Sequence, residues 1–190
     1  MKKSLLTLGL IAGFSFAANA GEVYNLESTH SYVEFHYNHF GFSNPSGKWF
    51  ANGTVTLDQK DLTKSSANIT VKVNDVITGI PKLDEHLQGV AFFDTKKFPT
   101  ATFVSKSVSN VNGKQFDLNG TLTVHGVAKP VTLHVTQNTL AVNPVSDKQT
   151  AGFSATADIK RSDFGITTYV PNVSDEIKLN VEIEAQLATK

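Results

Sequence analysis

Apolar and polar residues alternate along most of this chain. In the clearest run, Ile177, Leu179, Val181, Ile183, Ala185 and Leu187 are separated by lysine, asparagine, glutamate and glutamine. Successive side chains of a β-strand point to opposite faces, so a period of two predicts a strand with one buried side. The same pattern predicts about eight strands, near residues 33–37, 50–57, 67–73, 100–108, 115–124, 131–135, 151–159 and 177–187.

One-sided alternation over many strands predicts an all-β antiparallel sandwich or up-and-down barrel. Parallel sheets covered by helices have continuous apolar strands instead. Turn dipeptides such as Asn112-Gly113 and His125-Gly126 separate consecutive strands. The best helix candidate begins at Pro81 and stops at Gly89. No change of composition divides the chain, and its length predicts one domain.

The first twenty residues have the layout of a cleavable secretory signal. Lys2 and Lys3 precede an apolar run over residues 5–16, and Ala18-Asn19-Ala20 follows it. We therefore expect cleavage after Ala20, a mature domain over residues 21–190 and a periplasmic location. The chain has no cysteine, so this domain depends on its core rather than on disulfides.

Charge and hydropathy exclude two classes of partner. Without Lys2 and Lys3, fifteen basic and seventeen acidic residues leave a net charge of −2 and no basic run. A nucleic-acid partner is therefore not expected. No second long apolar run follows the signal, so no membrane span is predicted.

Three histidines within ten residues, His30, His36 and His39, raise the question of a metal site. On a strand, residues three apart point to opposite faces, and His30 and His36 lie about 20 Å apart at ~3.3 Å per residue. Hydrogen-bonding roles are therefore favoured over a shared ion. The chain also lacks a Gly-x-Ser-x-Gly turn and any cysteine, so no catalytic residue, metal or cofactor is predicted.

Two features each have two interpretations. Arg161, the only arginine, either ties a strand end through a carboxylate such as Asp163 or holds an anionic or carbonyl head group at a barrel rim. Residues 86–103 contain four of the thirteen phenylalanines, between the expected helix and the next strand. Phe92 and Phe93 there either sit at the mouth of a barrel or plug its end as ordinary core.

The chain resembles the YceI-like family of secreted bacterial proteins, sometimes described as polyisoprenoid-binding. The resemblance lies in "HSYVEFHYNHFG" at 30–41, "GKWF" at 47–50, "DEHLQGVAFFDTKKFPTATFVS" at 84–105, "LNGTLTVHGVAKPVTL" at 118–133 and "RSDFGI" at 161–166. It implies a lipocalin-like antiparallel β-barrel of about eight strands with one or two short helices. Just before His30, where the family often has Asp, this chain has Glu27-Ser28-Thr29, so a contact made by that Asp is not assured.

The resemblance implies a carrier that encloses a polyisoprenoid, a quinone tail or a fatty-acid derivative without a chemical step. We expect inward-facing side chains to bind the tail: Val33, Phe35, Ile69, Val71, Phe92, Phe93, Phe103, Phe116, Leu118, Leu122, Phe153, Phe164, Ile177 and Leu179. His39 and Arg161 are the head-group candidates. A stress-response or interaction protein without a lipid ligand and a His-dependent enzyme are the alternatives, and a homodimer is left open.

Overall fold

Nine strands and one short α-helix build the part of the chain that the structure describes. A computed structural model describes residues 21–189, so the expected signal peptide lies outside the described residues. The strands are β1 (Glu22–Leu26), β2 (Tyr32–His36), β3 (Ser46–Leu57), β4 (Ser66–Lys72), β5 (Thr100–Asn112), β6 (Gln115–Val124), β7 (Val127–Val142), β8 (Gln149–Lys160) and β9 (Glu176–Leu187), and the helix is α1 (Pro81–Gln88). Short 3-10 turns cover Leu62–Lys64, Val73–Asp75 and Arg161–Phe164.

Eight strand positions close the sheet into an antiparallel barrel. The order is β3, β2, β9, β8, β7, β6, β5 and β4, and pairing of β4 with β3 completes the ring. β1 and β2 share one position, because both lie between β3 and β9, β1 beside residues 54–57 of β3 and β2 beside residues 46–50. The all-β antiparallel barrel, one of the two architectures that the alternation predicts and the one that the family resemblance implies, is therefore confirmed.

Two strands differ from the prediction. β1 was not predicted because its apolar residues Val23 and Tyr24 are adjacent and give no period of two, although Tyr24 is completely buried. β7 extends well beyond the predicted residues 131–135 in both directions. His125 and Gly126 both have positive φ, at 52° and 74°, so they form a tight turn that pairs β6 with the start of β7.

The helix lies between β4 and β5, as predicted. Pro81 occupies its first turn, where a missing N–H leaves no intrahelical bond unmade, and Gly89 follows its last residue. The Asp84 carboxylate accepts hydrogen bonds from the backbone N–H of Thr78 at 2.8 Å and from its hydroxyl at 2.6 Å. These bonds tie the preceding loop to the first turn. Within residues 21–189, no helix is long and apolar enough to cross a bilayer.

The interior of the barrel is packed at the end away from α1 and hollow at the end nearer to it. The packed half contains large buried side chains from the start of β6, the start of β8 and the end of β9, among them Phe116, Phe153 and Ile183. Close fitting continues at the boundary, because the ring of Phe103 lies against Gly120, where any side chain would collide with it. The hollow half encloses a space large enough for a ligand.

Candidate functional site

A cavity of about 310 Å³ occupies the α1 end of the barrel. Its wall is almost entirely hydrocarbon, because nineteen of twenty-six lining residues have no hydrogen-bonding side-chain atom. The nineteen are Val33, Phe35, Ile69, Val71, Val73, Leu83, Leu87, Phe92, Phe93, Ala101, Phe103, Leu122, Val124, Ile159, Phe164, Ile166, Val173, Ile177 and Leu179. The polar members are Tyr37, His39, Trp49, His86, Thr102, Arg161 and Tyr169.

The strand ends nearest α1 supply the side wall. β2, β4, β6 and β8 end there, whereas β3, β5 and β9 begin there, so inward residues of seven strands converge on one space. The roof comes from α1, which contributes Leu83 and Leu87, a pair spaced four residues apart on one face of the helix. The amphipathic pattern of this short helix thus covers the hollow half.

Phe92 and Phe93 complete the roof and also pack against its other rings. The ring of Phe93 meets that of Trp49 edge to face, with centroids 5.3 Å apart. Phe92 is buried, and its ring lies 4.9 Å from that of His86 and 6.2 Å from that of Tyr169. The two interpretations of these phenylalanines therefore combine, because both rings line the cavity while closing its end.

The single tryptophan fixes one side of this roof. The indole Nε1 of Trp49 donates a hydrogen bond of 3.0 Å to the backbone oxygen of Val73, which follows β4. This bond satisfies the only polar atom of a buried side chain, and it holds the ring between Phe35 and Phe93. Trp49 is thus a rigid part of the cavity wall.

Arg161 is buried beside the cavity and holds the loop between β8 and β9. Its Nε donates to the Ser174 oxygen at 2.8 Å, its Nη2 to the Val173 oxygen at 2.9 Å, and its Nη1 to the Ile166 oxygen at 3.3 Å. Burial lowers the pKa of this guanidinium, and the nearby charge of Asp175 opposes that effect. The side chain thus fastens a loop that has no regular secondary structure of its own.

Arg161 does fasten the chain at the end of a strand, as one of its two interpretations predicts, but its hydrogen-bond acceptors differ from the predicted carboxylate. Backbone carbonyl groups, rather than the carboxylate of Asp163, accept its hydrogen bonds. Asp175 instead accepts from the backbone N–H and hydroxyl of Ser162. A guanidinium has five N–H donors, so two remain for a group inside the cavity, and the head-group hypothesis stays open.

The three histidines lie in separate surroundings. His36 contacts the Glu34 carboxylate at 3.2 Å and Asn180, whereas His39 is exposed at the edge of the cavity. His30 lies beside Glu27 in the turn between β1 and β2. Across residues 21–189, no group of three or more potential ligands is arranged to hold a metal ion.

Glu27 organises the turn at the junction of β1 and β2. Its carboxylate accepts from the Thr29 hydroxyl at 2.7 Å and from the His30 backbone N–H at 3.0 Å, and it contacts His30 Nδ1 at 2.7 Å. The Thr29 hydroxyl is the largest cause of a pKa lowered to about 2, desolvation opposes it, and His30 adds to the lowering. The same contact with Glu27 raises the pKa of His30. Glu27 therefore makes polar contacts in the segment just before His30, where this chain lacks the Asp that the family often has.

We expect Glu27→Gln to lower the free energy of unfolding near pH 6 and to have less effect as the pH falls towards 2. A carboxyl group with a depressed folded pKa contributes stability above its unfolded pKa and loses it as the pH falls through the folded value. His30, with a raised pKa, adds stability below about pH 6.5 that is lost as the pH rises through its folded pKa. Urea unfolding of both proteins from pH 2 to 8 measures this. Glu85→Gln, on the exposed side of α1, is the control, and an equal loss at pH 3 and pH 6 would contradict the assignment.

The structure places thirteen of the sixteen expected ligand-binding residues around the cavity: Val33, Phe35, His39, Ile69, Val71, Phe92, Phe93, Phe103, Leu122, Arg161, Phe164, Ile177 and Leu179. Phe116, Leu118 and Phe153 do not line this cavity, and ligand binding by any of the sixteen stays a prediction. These three residues are buried in the packed half, because the start of β6 and the start of β8 lie at the far end of the barrel.

Several residues that line the cavity were not among those predicted from the sequence. Trp49 and Ala101 belong to predicted strands or their ends, and the inward phase of those strands could have identified them. Leu83 and Leu87 lie in the predicted helix, but the sequence does not indicate what that helix covers. Tyr169 lies in an irregular loop, where no period indicates which way a side chain points.

The family comparison covers nearly all of the described chain. The YceI-like domain matches residues 24–185. Proteins named Protein YceI from Salmonella arizonae and Salmonella enteritidis are each 37% identical to this chain over 188 residues, covering 97% of both sequences.

Solved structures share the barrel. BcnA from Burkholderia cenocepacia is 25% identical, with a TM-score of 0.76 over 86% of this chain and 99% of that one. A YceI protein from Campylobacter jejuni is 31% identical, with a TM-score of 0.71 over 80% and 90%. A polyisoprenoid-binding domain from Saccharophagus degradans, implicated in plant cell wall breakdown, is 15% identical, with a TM-score of 0.68 over 87% and 98%, which shows a common fold. From the matched domain and these relatives, the chain belongs to the YceI-like family.

Proposed function

We propose that this protein is a periplasmic carrier that holds a long apolar molecule, a polyisoprenoid, a quinone tail or a fatty-acid derivative, inside its barrel. The observation that carries the proposal is the hydrocarbon-lined cavity at the α1 end. The layout of residues 1–20 as an export signal supports the location. The description of the Saccharophagus degradans neighbour as polyisoprenoid-binding supports the ligand class.

The size of the cavity indicates how much binding free energy a tail can supply. A volume of about 310 Å³ corresponds to about ten water-sized groups at ~30 Å³ each. Burial of about ten methylene groups, at ~0.8 kcal/mol each, gives roughly 8 kcal/mol of gross desolvation. That amount corresponds to about micromolar affinity before the cost of association is subtracted. The tail therefore supplies most of the affinity, and the head group needs few contacts.

The polar residues near the opening are suited to a small head group. His39 is exposed at the edge of the cavity, and Arg161 keeps two N–H groups that are not used by the loop carbonyls. Both side chains donate hydrogen bonds, which favours a carbonyl, a carboxylate or a phosphate at this position. The proposal involves no chemical step.

The alternatives differ from the carrier in what they require of the barrel. An interaction protein without a ligand has no use for a hydrocarbon-lined cavity, and this barrel keeps one at its α1 end rather than collapsing. A His-dependent enzyme needs a nucleophile or a metal beside His30 or His39. His39 packs against the rings of Tyr37 and Phe40, and His30 contacts Glu27 in a turn that does not line the cavity. The cavity therefore favours the carrier.

The test is to identify what the mature protein holds. Protein purified without detergent is kept native for mass spectrometry and then extracted with organic solvent, and we expect a bound apolar molecule in both measurements. Ligand-free protein is next titrated with a polyprenyl, a quinone and a fatty-acid probe. Absence of a bound molecule together with absence of uptake of all three probes would overturn the proposed function.

A further inference from the structure

Four exposed apolar side chains surround the opening of the cavity. Only three of the residues that line the cavity are exposed, His39, His86 and Tyr169, so the opening lies among them. Phe40 and Phe42 follow His39 in the tight turn between β2 and β3, and Val90 follows α1. We call Phe40, Phe42, Val90 and Tyr169 the mouth patch.

The mouth patch projects into solvent rather than covering the core. Phe42 is 90% exposed and Val90 is 80% exposed, and Tyr169 and Phe40 are exposed over about half of their surface. An isolated exposed apolar residue needs no explanation, but several grouped around one opening indicate an interaction surface.

The backbone beneath the two aromatic rings is held in an unfavourable conformation. Phe40 has φ of 55° and Tyr169 has φ of 63°, in the left-handed region that bulky residues rarely adopt. Hydrogen bonds impose both, because the N–H of Phe40 donates to the Asn172 oxygen and the N–H of Val173 donates to the Tyr169 oxygen, each at 2.8 Å. Asparagine or glycine would fit such positions with less strain. Each ring is nevertheless exposed over about half of its surface, and strained backbone at such positions points to a role at the opening in addition to packing.

We propose that the mouth patch docks on the surface of a neutral lipid bilayer, so that an apolar ligand passes between bilayer and cavity without crossing water. This inference rests on the proposed function, because a ligand with a long apolar tail resides in a membrane. The patch and the cavity are continuous, since Tyr169 belongs to both. The turn over residues 38–44 contains no charged residue, so its tip enters the interface without burying an ion.

Charge and exposed area favour a neutral bilayer, rather than an anionic bilayer or a second protein, as the partner of the mouth patch. Residues 75–98 and 161–176, which frame the opening, contain seven carboxylates and four basic side chains, a net charge of −3. An anionic bilayer would be repelled by that charge. The four side chains expose roughly 500 Å², short of the roughly 800 Å² per partner in a stable protein interface. Insertion of separate side chains into a fluid bilayer needs no such matched area.

The test separates docking from binding of the ligand. Mature protein is mixed with phosphatidylcholine vesicles without ligand and followed by flotation, and in a second assay a fluorescent fatty acid is supplied from such vesicles or as a monomer. The test protein is a double variant that carries Phe42→Ser and Val90→Ser. The control is a second double variant that carries Val142→Ser and Val145→Ser. Val142 ends β7 and Val145 lies in the loop that follows, at the opposite end of the barrel, and Val145 is 94% exposed.

We expect wild-type protein and the Val142/Val145 variant to float with the vesicles and to take up the probe rapidly from them. The Phe42/Val90 variant should lose flotation and take up the probe from vesicles about tenfold more slowly or worse, the effect expected for withdrawing one or two large apolar side chains from the interface. Its uptake of monomeric probe should be unchanged.

Several outcomes would overturn docking. The first is equal flotation and uptake by the two double variants, and the second is faster uptake when anionic lipid is added to the vesicles. The third is a dimer in sedimentation equilibrium that the Phe42/Val90 variant no longer forms, because a second copy of the protein would then cover the mouth patch. Failure of wild-type protein to take up monomeric probe overturns the carrier function instead, and flotation still decides docking.

Discussion

Ala101→Trp is expected to abolish uptake of apolar ligands while the barrel stays folded. Ala101 lies near the start of β5, opposite Val71, and its small side chain faces the cavity. An indole at this position would occupy space now open to the ligand. If it displaces about four methylene groups of a bound tail, at ~0.8 kcal/mol each, affinity falls on the order of 100-fold.

The measurement is titration of ligand-free protein with a fluorescent fatty acid, accompanied by thermal unfolding. Filling a cavity that lacks polar partners does not harm the core, so we expect an unchanged or slightly higher Tm. Val104→Trp is the matched control, because Val104 lies on the same strand but is exposed on the outside of the barrel. Undiminished binding by the Ala101 variant, with its Tm retained, would show that the ligand does not occupy this cavity.

Arg161→Ala is expected to lower the free energy of unfolding by about 4 kcal/mol. The substitution removes three hydrogen bonds from a charged donor to the carbonyl groups of Ile166, Val173 and Ser174. Each such bond contributes ~1.5–3 kcal/mol, and a buried carbonyl left without a donor is itself destabilising. The loop between β8 and β9, which supplies Tyr169 to the cavity, should be the first region to open.

Arg161→Lys provides the graded comparison. An ammonium on a flexible stem cannot reproduce the planar fork that reaches three carbonyl groups, so we expect an intermediate loss of stability. Urea unfolding gives the free energies, and hydrogen exchange over residues 165–175 locates the change. A loss below about 1 kcal/mol for the alanine variant, the usual range for exposed sites, would remove Arg161 from its loop-fastening role.

The same two variants also test the head-group hypothesis. Under conditions in which both remain folded, a ligand with an anionic head should lose more affinity in Arg161→Ala than a neutral ligand with the same tail. Arg161→Lys keeps the positive charge, so it should preserve most of that preference. Equal weakening of both ligands in the alanine variant would leave Arg161 a purely structural residue.

Much of the barrel could be predicted because period-two alternation records directly which side of a strand is buried. The inward residues of β9, from Ile177 to Leu187, show this most clearly. The helix could be predicted equally well, since Pro81 and Gly89 mark its two ends. β1 was not predicted because its five residues show no alternation of their own. Only Tyr24 is buried, through the position of the strand between β3 and β9.

The site could be predicted only in part. Alternation distinguishes inward from outward residues but not depth along the barrel, so Phe116 and Leu122 look alike in the sequence although only Leu122 reaches the cavity. The partners of Arg161 are backbone oxygens of a loop, which leave no trace in the identities of the side chains. Tyr169 lies in that same loop, so its place in the cavity wall could not be predicted from the sequence either.

The packed half and the hollow half of the barrel allow stability and specificity to change separately. Buried side chains such as Phe116, Phe153 and Ile183 close one end of the interior without lining the cavity. Residues around the cavity can therefore be exchanged for others of similar apolar character while the far end continues to hold the sheet closed. A library randomised at Val71, Ala101 and Leu122 should stay folded and yield barrels that choose different tails, which makes this scaffold a practical starting point for engineered lipid receptors.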